Sequence, residues 1–220
     1  MMREMLQLRA WLVDSEPELV WRQFVIDPRL TLEQLHTVLQ IAFSWQNEHC
    51  HQFHEQDGRR YGRPNAADED VIDERKLQLG QVFDHDRKRI AYEYDFGDSW
   101  IHAVELEKKV DGETFDYPTN TFIEGGKSVF SGKPRAAICV AGARNGPPEN
   151  SGGLDGYFRI LDLFEHPKAR RSEEQEELLE WLGDWDPTRF VLGEINQNLG
   201  RVRVKKGGAG RGGRVQTRIP

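Results

Sequence analysis

The chain has 220 residues, of which 37% are hydrophobic and 30% are charged, and its formal net charge is −7. No apolar run approaches the roughly 18 residues that a membrane helix needs, which excludes a membrane-spanning helix. Two cysteines, Cys50 and Cys139, are too few for a disulfide framework or a four-thiolate zinc site, so we expect a cytoplasmic protein with both thiols reduced.

The first predicted elements are two strands and a helix. Residues 6–13 and 19–26 are rich in β-branched and aromatic side chains and flank a turn, which predicts an antiparallel pair. Thr31 followed by Gln34 has the pattern of a capping box. Apolar residues at helical spacing then predict a helix that runs to about Phe43 with one buried face.

Three more strands are predicted in the middle of the chain. Residues 51–55 have a strand pattern, and the acidic stretch 64–75 has the composition of a loop. Residues 90–95 and 100–108 predict two strands joined by a short turn. Because side chains alternate along a strand, one face of the second strand is the more apolar and is expected to meet the helix. Its residues are Trp100, His102, Val104 and Leu106.

The turn between those strands contains two aspartates. We expect Asp95 and Asp98 to shape it through side-chain hydrogen bonds to the backbone. Gly97 is expected to supply an unusual backbone dihedral there.

Beyond a glycine-rich connection at 111–134, the hydrophobic period becomes helical. Residues 157–165 predict one helix. Ser172 begins a second through another capping box, and Gly183 ends it. Pro187 is expected to begin a third short helix, since proline is favoured at the first helical position.

These elements predict an α+β fold in a single domain over residues 1–200. Its mainly antiparallel strand–helix core, two strands and a helix followed by further strands, occupies about residues 1–110. A helical layer at about 136–200 packs on this core.

The charge is distributed unevenly along the chain. All 37 acidic residues lie in residues 1–200, which gives that part a net charge of −14. Residues 201–220 form a basic, Arg/Gly-rich segment that we expect to be flexible. Such a segment can bind phosphate backbones without sequence preference, or fold back on its own acidic body. Its basic residues are Arg201, Arg203, Lys205, Lys206, Arg211, Arg214 and Arg218.

The densest set of polar residues combines the hairpin with the segment after the first helix. Two histidines at i and i+2, His49 and His51, share a face on a strand, and Asp95, Asp98 or His102 could complete a metal site with them. The alternative is structural: the aspartates shape the turn, and the histidines are half-buried hydrogen-bonding groups.

A second candidate region is the glycine- and proline-rich loop that precedes the predicted helix at 157–165. Glu149, Asn150 and Ser151 are placed to cap that helix, whose free amides could instead bind an anion. Glu149 is also a candidate general base. Cys139 is expected to be a small buried apolar residue rather than a reactive thiol.

Taken in order, several segments resemble the Ri-plasmid open-reading-frame-three-like proteins, often labelled as TnpR-type passengers of insertion elements. The resemblance covers about residues 5–199, and its most recognisable stretch is Tyr92-Glu93-Tyr94-Asp95-Phe96-Gly97-Asp98-Ser99-Trp100-Ile101-His102. Other matching segments are Val20-Trp21-Arg22, Thr31-Leu32-Glu33-Gln34-Leu35-His36, Trp45 to Phe53, Pro147 to Gly153, Gly156-Tyr157, Glu180-Trp181-Leu182-Gly183 and Asp186-Pro187.

The resemblance implies a compact α+β fold and no established activity. Members of the family often carry cysteines where this chain has Gly146 and Ser151, and an Asp where it has Asn150, which argues against a thiolate metal site here. The resolvase-type label is not supported by chemistry, because the sequence has no nucleophilic Ser beside an arginine cluster and no Tyr with an Arg and His set.

Three functions are compatible with this sequence. The favoured one is a non-catalytic binding or accessory module associated with mobile elements, with no resident cofactor, no membrane contact, a protein or peptide partner, and nucleic acid contacted through the tail. A plain structural protein is a second. The alternative enzyme is a hydrolase dependent on a divalent metal, with Glu149 as base and its ligands drawn from His49, His51, Asp95, Asp98 and His102.

Overall fold

The computed structural model describes residues 4–15, 19–64, 70–84, 86–112, 115–116, 121–122, 135–167 and 170–204. The chain contains both helices and a large mainly antiparallel sheet, which agrees with the predicted α+β class. The strands are β1 (Glu4–Leu12), β2 (Trp21–Ile26), β3 (His51–His54), β4 (Arg60–Gly62), β5 (Ile72–Asp73), β6 (Arg89–Tyr94), β7 (Trp100–Asp111), β8 (Phe115–Asp116), β9 (Thr121–Phe122) and β10 (Ala137–Ala143). The helices are α1 (Leu32–Phe43), α2 (Leu79–Val82), α3 (Gly153–Glu165), α4 (Glu173–Leu182) and α5 (Leu192–Leu199).

Eight strands form one sheet in the order β10-β2-β1-β7-β6-β3-β4-β5, and β8 pairs with β9 separately. Neighbouring strands in the large sheet are antiparallel except for β4 and β5, which are parallel. The predicted pairing of the first two strands is confirmed, with Leu8 opposite Phe24. The predicted loop at 64–75 is interrupted by β5.

The main core lies between α1 and one face of this sheet. α1 begins at the predicted capping box. The Thr31 hydroxyl accepts from the amide of Gln34, and the Gln34 side-chain oxygen accepts from the amide of Thr31. The predicted alternation along β7 is confirmed, because its apolar face is buried in this core while Ile101 on the other face is 41% exposed. The apolar face of β7 and the apolar face of α1 are therefore buried in the same core.

The predicted start of the helical layer at about residue 136 is wrong, because Ala137–Ala143 forms an edge strand beside β2. This strand is built largely of Ala and Gly, which have little intrinsic preference for strands. Its register shifts between Cys139 and Ala141. The side-chain amide of Asn196 in α5 fills that irregularity, donating to the Cys139 carbonyl and accepting from its amide, both at 2.8 Å.

The prediction of a helix that begins at Pro187 is also wrong. Residues 186–190 form a turn in which the Asp186 carboxylate accepts from the amide of Thr188 at 2.7 Å, and α5 begins only at Leu192. The Pro187 carbonyl accepts a hydrogen bond from the amide of Asn145 at 3.0 Å. This tertiary contact uses a carbonyl that a continuing helix would have needed for itself.

The first four residues of the predicted tail, 201–204, are described and contact the body of the protein. Val202 is only 7% exposed and belongs to the main core, and the carbonyl of Arg203 accepts from the side chain of Gln34 at 2.5 Å. The remaining basic residues of the predicted tail lie outside the described residues, so for them the tail stays a prediction: Lys205, Lys206, Arg211, Arg214 and Arg218. In the part of the chain that is described, no helix has both the length and the apolar character needed to cross a bilayer.

Candidate binding groove

A groove of about 990 Å³ lies between α1, the segment that leads into β3, and the residues around the end of α5. Ile41 lines it from α1, His51 from β3 and Asn198 from α5. Phe96, at the turn between β6 and β7, also lines it and is 54% exposed. We call it the arginine groove after three further lining residues: Arg63, Arg201 and Arg203.

Two stacked histidines line the arginine groove. The rings of His36 and His51 lie parallel, with centroids 3.5 Å apart. Nδ1 of His36 is 2.7 Å from the Tyr92 hydroxyl, and Nε2 is 2.6 Å from Oδ1 of Asn47. Because the Tyr92 oxygen already accepts from Gln40, its proton is directed to Nδ1. This network assigns the His36 proton to Nε2, from which it is donated to Asn47.

His36 is held neutral by its surroundings. Its pKa is lowered to about 3, mainly by burial and also by the neighbouring His51 and Arg63, against a raising effect of the Asn47 contact. A neutral ring can stack on its neighbour without charge repulsion. The stack therefore persists throughout the neutral pH range, and His36 acts there as a fixed hydrogen-bonding group.

A fully buried carboxylate holds the second histidine of the stack. Oε2 of Glu74 lies 2.8 Å from Nε2 of His51, and since a carboxylate only accepts, Nε2 carries the proton. Oε1 of Glu74 has no hydrogen-bond partner among the described residues. Nε of Arg63 lies 3.6 Å from that oxygen and supplies the nearest opposite charge. Glu74 therefore fixes both the ring of His51 and the position of one groove arginine.

The lining of the arginine groove carries more positive than negative charge. Arg63 also pairs with Glu33 at 2.9 Å, while most of its side chain stays exposed. Arg201 is exposed, and its guanidinium makes no ion pair with another described residue. Arg203 is held through its backbone to α1, with its side chain exposed. This local excess of arginine contrasts with the acidic remainder of the chain.

The five predicted metal ligands are divided among different surroundings. His49 precedes β3, and its Nε2 lies 3.5 Å from Oδ2 of Asp95. His51 is engaged by Glu74. Asp98 lies on the other side of the turn, where its Oδ2 accepts from the amide of Gly152 at 3.2 Å. His102 is fully buried in the core.

The hairpin turn confirms the structural role predicted for Asp95. Its Oδ1 accepts from the amides of Gly97 and Asp98 at 3.0 and 3.4 Å. The prediction for Gly97 is wrong, because the positive φ angles fall on Asp95 (57°) and Ser99 (54°) instead. Aspartate tolerates the left-handed region through local hydrogen bonds, which explains how the turn forms without a glycine there.

His102 is packed among aromatic rings. Its ring lies 4.6 Å from that of Phe43 and 5.2 Å from that of Trp45, centroid to centroid. Nδ1 lies 3.3 Å from the carbonyl of Trp100, and Nε2 has no partner among the described residues. The pKa of His102 is lowered to about 3, mainly by burial, with a raising effect of the Trp100 carbonyl and a lowering effect of the nearby Arg22.

Replacing His102 by leucine is expected to flatten the acid side of the stability profile. The folded ring stays neutral down to about pH 3, whereas in the unfolded chain it takes up a proton below its ordinary pKa of about 6.5. The contribution of the neutral His102 ring to the free energy of unfolding is therefore fully present above pH 6.5. It is lost as the pH falls towards 3. In His102→Leu, the free energy of unfolding should fall less steeply, by about 1.4 kcal/mol per pH unit at most.

Urea unfolding of wild type and variant between pH 6.5 and 4 measures this difference. The matched control is His166→Gln, at an exposed position after α3. Parallel profiles for wild type and His102→Leu would contradict the assignment of a neutral, buried ring.

The structure does not support the predicted metal-dependent hydrolase. Within the described ranges, no group of three or more His, Cys, Asp or Glu side chains is arranged to hold a metal ion. Of the five predicted ligands, His49 and Asp95 approach each other, while His51 is committed to Glu74 and His102 to the core. Apart from the pair of His49 and Asp95, the predicted ligands therefore make separate structural contacts.

The predicted capping of the following helix by Glu149, Asn150 or Ser151 is wrong. The N-cap of α3 is Gly152, with no side-chain cap from its own segment. Its amide is bound across the fold by the Asp98 carboxylate. Glu149 instead accepts from the Tyr94 hydroxyl and from the amide of Gln46. Both of its oxygens are thus occupied by structural donors, which does not favour the predicted role as a general base.

The two cysteines differ in their surroundings. Cys139 is buried in β10, and burial raises the pKa of its thiol to about 12. The prediction of an unreactive, apolar role for this residue agrees with that burial. Cys50 is exposed and lines the arginine groove.

Sequence reasoning missed three residues of the arginine groove. His36 was detectable, since it and Gln40 are polar residues spaced i, i+4 on a helix face that is otherwise apolar. Glu74 and Arg63 carried no such signal. They lie in or beside a stretch with loop composition, and their roles depend on a parallel contact between β4 and β5.

Comparison with known proteins places the chain in a family. The model of the plasmid pRiA4b ORF-3-like proteins matches residues 4–194. The chain belongs to this family. The resemblance inferred from the motifs is therefore confirmed, and it extends over the sheet, α1 to α4, and the first three residues of α5.

Two proteins similar to this chain are described as uncharacterized or of unknown function. The uncharacterized protein y4hQ of Sinorhizobium fredii (strain NBRC 101917 / NGR234) is 28% identical over 209 residues, which are 93% of this chain and 95% of that protein. The crystal structure of a protein of unknown function, MM3350 from Methanosarcina mazei Go1, has a TM-score of 0.69. It is 28% identical, and the match covers 88% of this chain and 97% of that one.

The pRiA4b ORF-3-like match separates the arginine groove into two parts. Arg63 and the histidine stack fall inside the matched residues 4–194. Arg201 and Arg203 fall beyond them.

Proposed function

We propose that this protein is a non-catalytic binding module of a plasmid-associated family, and that its arginine groove binds an acidic peptide segment of a partner protein. The single observation that carries the proposal is the excess of arginine around a groove of about 990 Å³ in a chain of net charge −7. A groove with a net charge of one sign attracts ligands of the other sign and accelerates their association.

The polar groups along the groove favour carboxylates over phosphates. Arginine guanidinium groups bind both carboxylates and phosphates through two parallel hydrogen bonds, so the other groups of the groove decide between these ligands. The amides at the start of α1 are engaged by the closed capping box of Thr31 and Gln34, so they do not form a phosphate site of the helix N-terminal type. Phe96 and Ile41 supply apolar surface for the body of a peptide. An acidic peptide with apolar side chains matches these features.

Binding of a fluorescein-labelled hexaglutamate peptide, followed by anisotropy at low salt, tests the proposal. Arg201→Ser should weaken binding about fivefold, as expected for the loss of one exposed charge contact of about 1 kcal/mol. Arg159→Ser removes an exposed arginine of α3 that lies outside the groove, and it should leave binding unchanged.

A second control separates the groove from the basic residues beyond it. A full-length variant with Lys205, Lys206, Arg211, Arg214 and Arg218 changed to glutamine should keep its sensitivity to Arg201→Ser. Equal effects of Arg201→Ser and Arg159→Ser, or binding that disappears with the five glutamine changes alone, would overturn the groove proposal. ATP, used as a phosphate-bearing competitor, should displace the peptide poorly.

Nucleic-acid contact through the basic tail is a separate part of the proposal. Its support is the sequence, in which residues 205–220 carry five basic residues and no acid. Because such contact rests on neutralised phosphates, it should weaken steeply as salt rises. A single-stranded oligonucleotide that fails to bind the intact protein at low salt would remove this part and leave the groove proposal untouched.

A further inference from the structure

A second groove is lined in part by the loop at 145–150, and its charge is opposite to that of the arginine groove. It has a volume of about 330 Å³ and is lined by aromatic, proline and acidic side chains, with no basic residue among those described. We call it the tryptophan groove after three of its residues: Trp45, Trp181 and Trp185.

One wall of the tryptophan groove is held in place by hydrogen bonds from indoles. Nε1 of Trp45 donates to the carbonyl of Pro147 at 2.9 Å, and Nε1 of Trp185 donates to the carbonyl of Gly146 at 3.1 Å. These bonds fix the proline loop. Trp181, by contrast, is 52% exposed on α4. The groove therefore offers a large aromatic surface to solvent beside a wall that is already formed.

The electrostatic surroundings of the tryptophan groove are acidic. Glu48 and Glu149 line it directly. α4, which carries Trp181, contains five glutamates and no basic residue, and Asp184 follows it. An exposed indole among carboxylates is the arrangement that binds a guanidinium or ammonium group, by cation–π attraction and ion pairing together.

We propose that the tryptophan groove binds the chain's own basic segment, residues 205–220. This segment carries five basic residues, separated in part by glycines, and no acid. Its charge is complementary to the groove, and its glycines allow an extended backbone to approach the indole closely. The proposal is independent of the ligand of the arginine groove.

The segment is long enough to reach the groove. Sixteen residues span up to about 50 Å when extended, whereas a chain of this length has a radius of gyration of about 17 Å. A tethered segment also has an effective concentration in the millimolar range, so weak intrinsic affinity is sufficient for binding within one molecule. When the segment is docked, its basic residues would not be available to bind a phosphate backbone.

The test uses a synthetic peptide of residues 205–220, which contains no Trp, Tyr or Phe, so that a change in tryptophan fluorescence reports on the protein. The peptide should bind the full-length variant in which the five basic residues of the segment are glutamine. Wild type should bind it at least about tenfold more weakly, because its own segment competes. Adding Trp181→Ala to the glutamine variant should weaken binding about tenfold.

Phe158→Ala is the matched control, since Phe158 is an exposed aromatic residue of α3 outside the tryptophan groove. It should leave peptide binding unchanged. Equal binding by wild type and the glutamine variant would overturn the proposal, as would absence of binding or indifference to Trp181→Ala. A dimer that appears with rising concentration in wild type and not in the glutamine variant would place the segment on a second copy, and would overturn docking within one molecule.

Discussion

Replacing Arg22 by methionine is expected to destabilise the fold by at least about 3 kcal/mol, since each hydrogen bond from a charged donor contributes about 1.5–3 kcal/mol. Arg22 is 1% exposed, and its guanidinium donates to four backbone carbonyls. Its pKa is lowered by burial to about 10, so it is charged at neutral pH. Methionine has a similar length and no donor, and it would leave these carbonyls without their partner.

The position of Arg22 explains the size of this effect. Its four acceptors belong to Trp21, Ala42, Ala143 and Arg144, so one side chain joins β2, the end of α1 and the end of β10. The rings of Phe43 and Phe190 also lie 4.9 Å from its guanidinium carbon. Two aromatic rings thus contact the group, which favours a planar guanidinium over an ammonium.

Thermal and urea unfolding check this prediction. Arg22→Met should lower the melting temperature by about 10 °C for a chain of this size, and Arg22→Lys should restore little, because an ammonium cannot reach acceptors arranged for a planar fork. Arg159→Met, at an exposed position on α3, is the matched control and should have little effect. If Arg22→Lys proved as stable as wild type, charge alone would account for the role of Arg22.

The sequence predicted those parts of the fold that depend on local patterns. The capping boxes at Thr31 and Ser172 are confirmed, because each is a contact within four residues. The alternation along β7 is confirmed because burial of one sheet face imposes a period of two. Each of these patterns lies within one segment of the sequence, so it can be recognised without knowing the tertiary partners of that segment.

Elements defined by distant partners were not predictable in the same way. β10 is a strand because its backbone pairs with β2, and its Ala and Gly side chains give no indication of that partner. The N-cap of α3 receives its carboxylate from Asp98, more than fifty positions earlier, rather than from the adjacent Glu149. Local reasoning assigns such a contact to the nearest acid and is therefore wrong.

The candidate site shows the same division. His36 is a polar residue at a buried helix position, which indicates that its side chain has a hydrogen-bond partner. That partner, Tyr92, and the stacked ring of His51 come from two different strands. Metal-ligand reasoning grouped histidines by their spacing in the sequence. The sheet order instead places His51 against Glu74 and directs His102 into the core.

Gly156→Ala is expected to destabilise the protein by about 3 kcal/mol or more, since overpacking typically costs 1–3 kcal/mol and more where backbone must move. A methyl group at Gly156 would lie 1.7 Å from the carbonyl oxygen of Ser151. That oxygen belongs to the loop bound to the hairpin turn, where the amide of Gly152 donates to Asp98. A methyl group at Gly153 would lie 2.7 Å from the Asp98 carbonyl oxygen.

The loop therefore has little freedom to yield at Gly156, because its neighbouring residues already contact the turn. Its displacement should also disturb the wall of the tryptophan groove that Pro147 and Pro148 form. Gly193→Ala is the matched control, since this helical glycine of α5 has no atom within 4 Å of the added methyl group. There alanine should stabilise the fold by about 0.5–1 kcal/mol. Urea unfolding of both variants measures the contrast, and a neutral Gly156→Ala would mean that the loop and the hairpin turn are not rigidly joined.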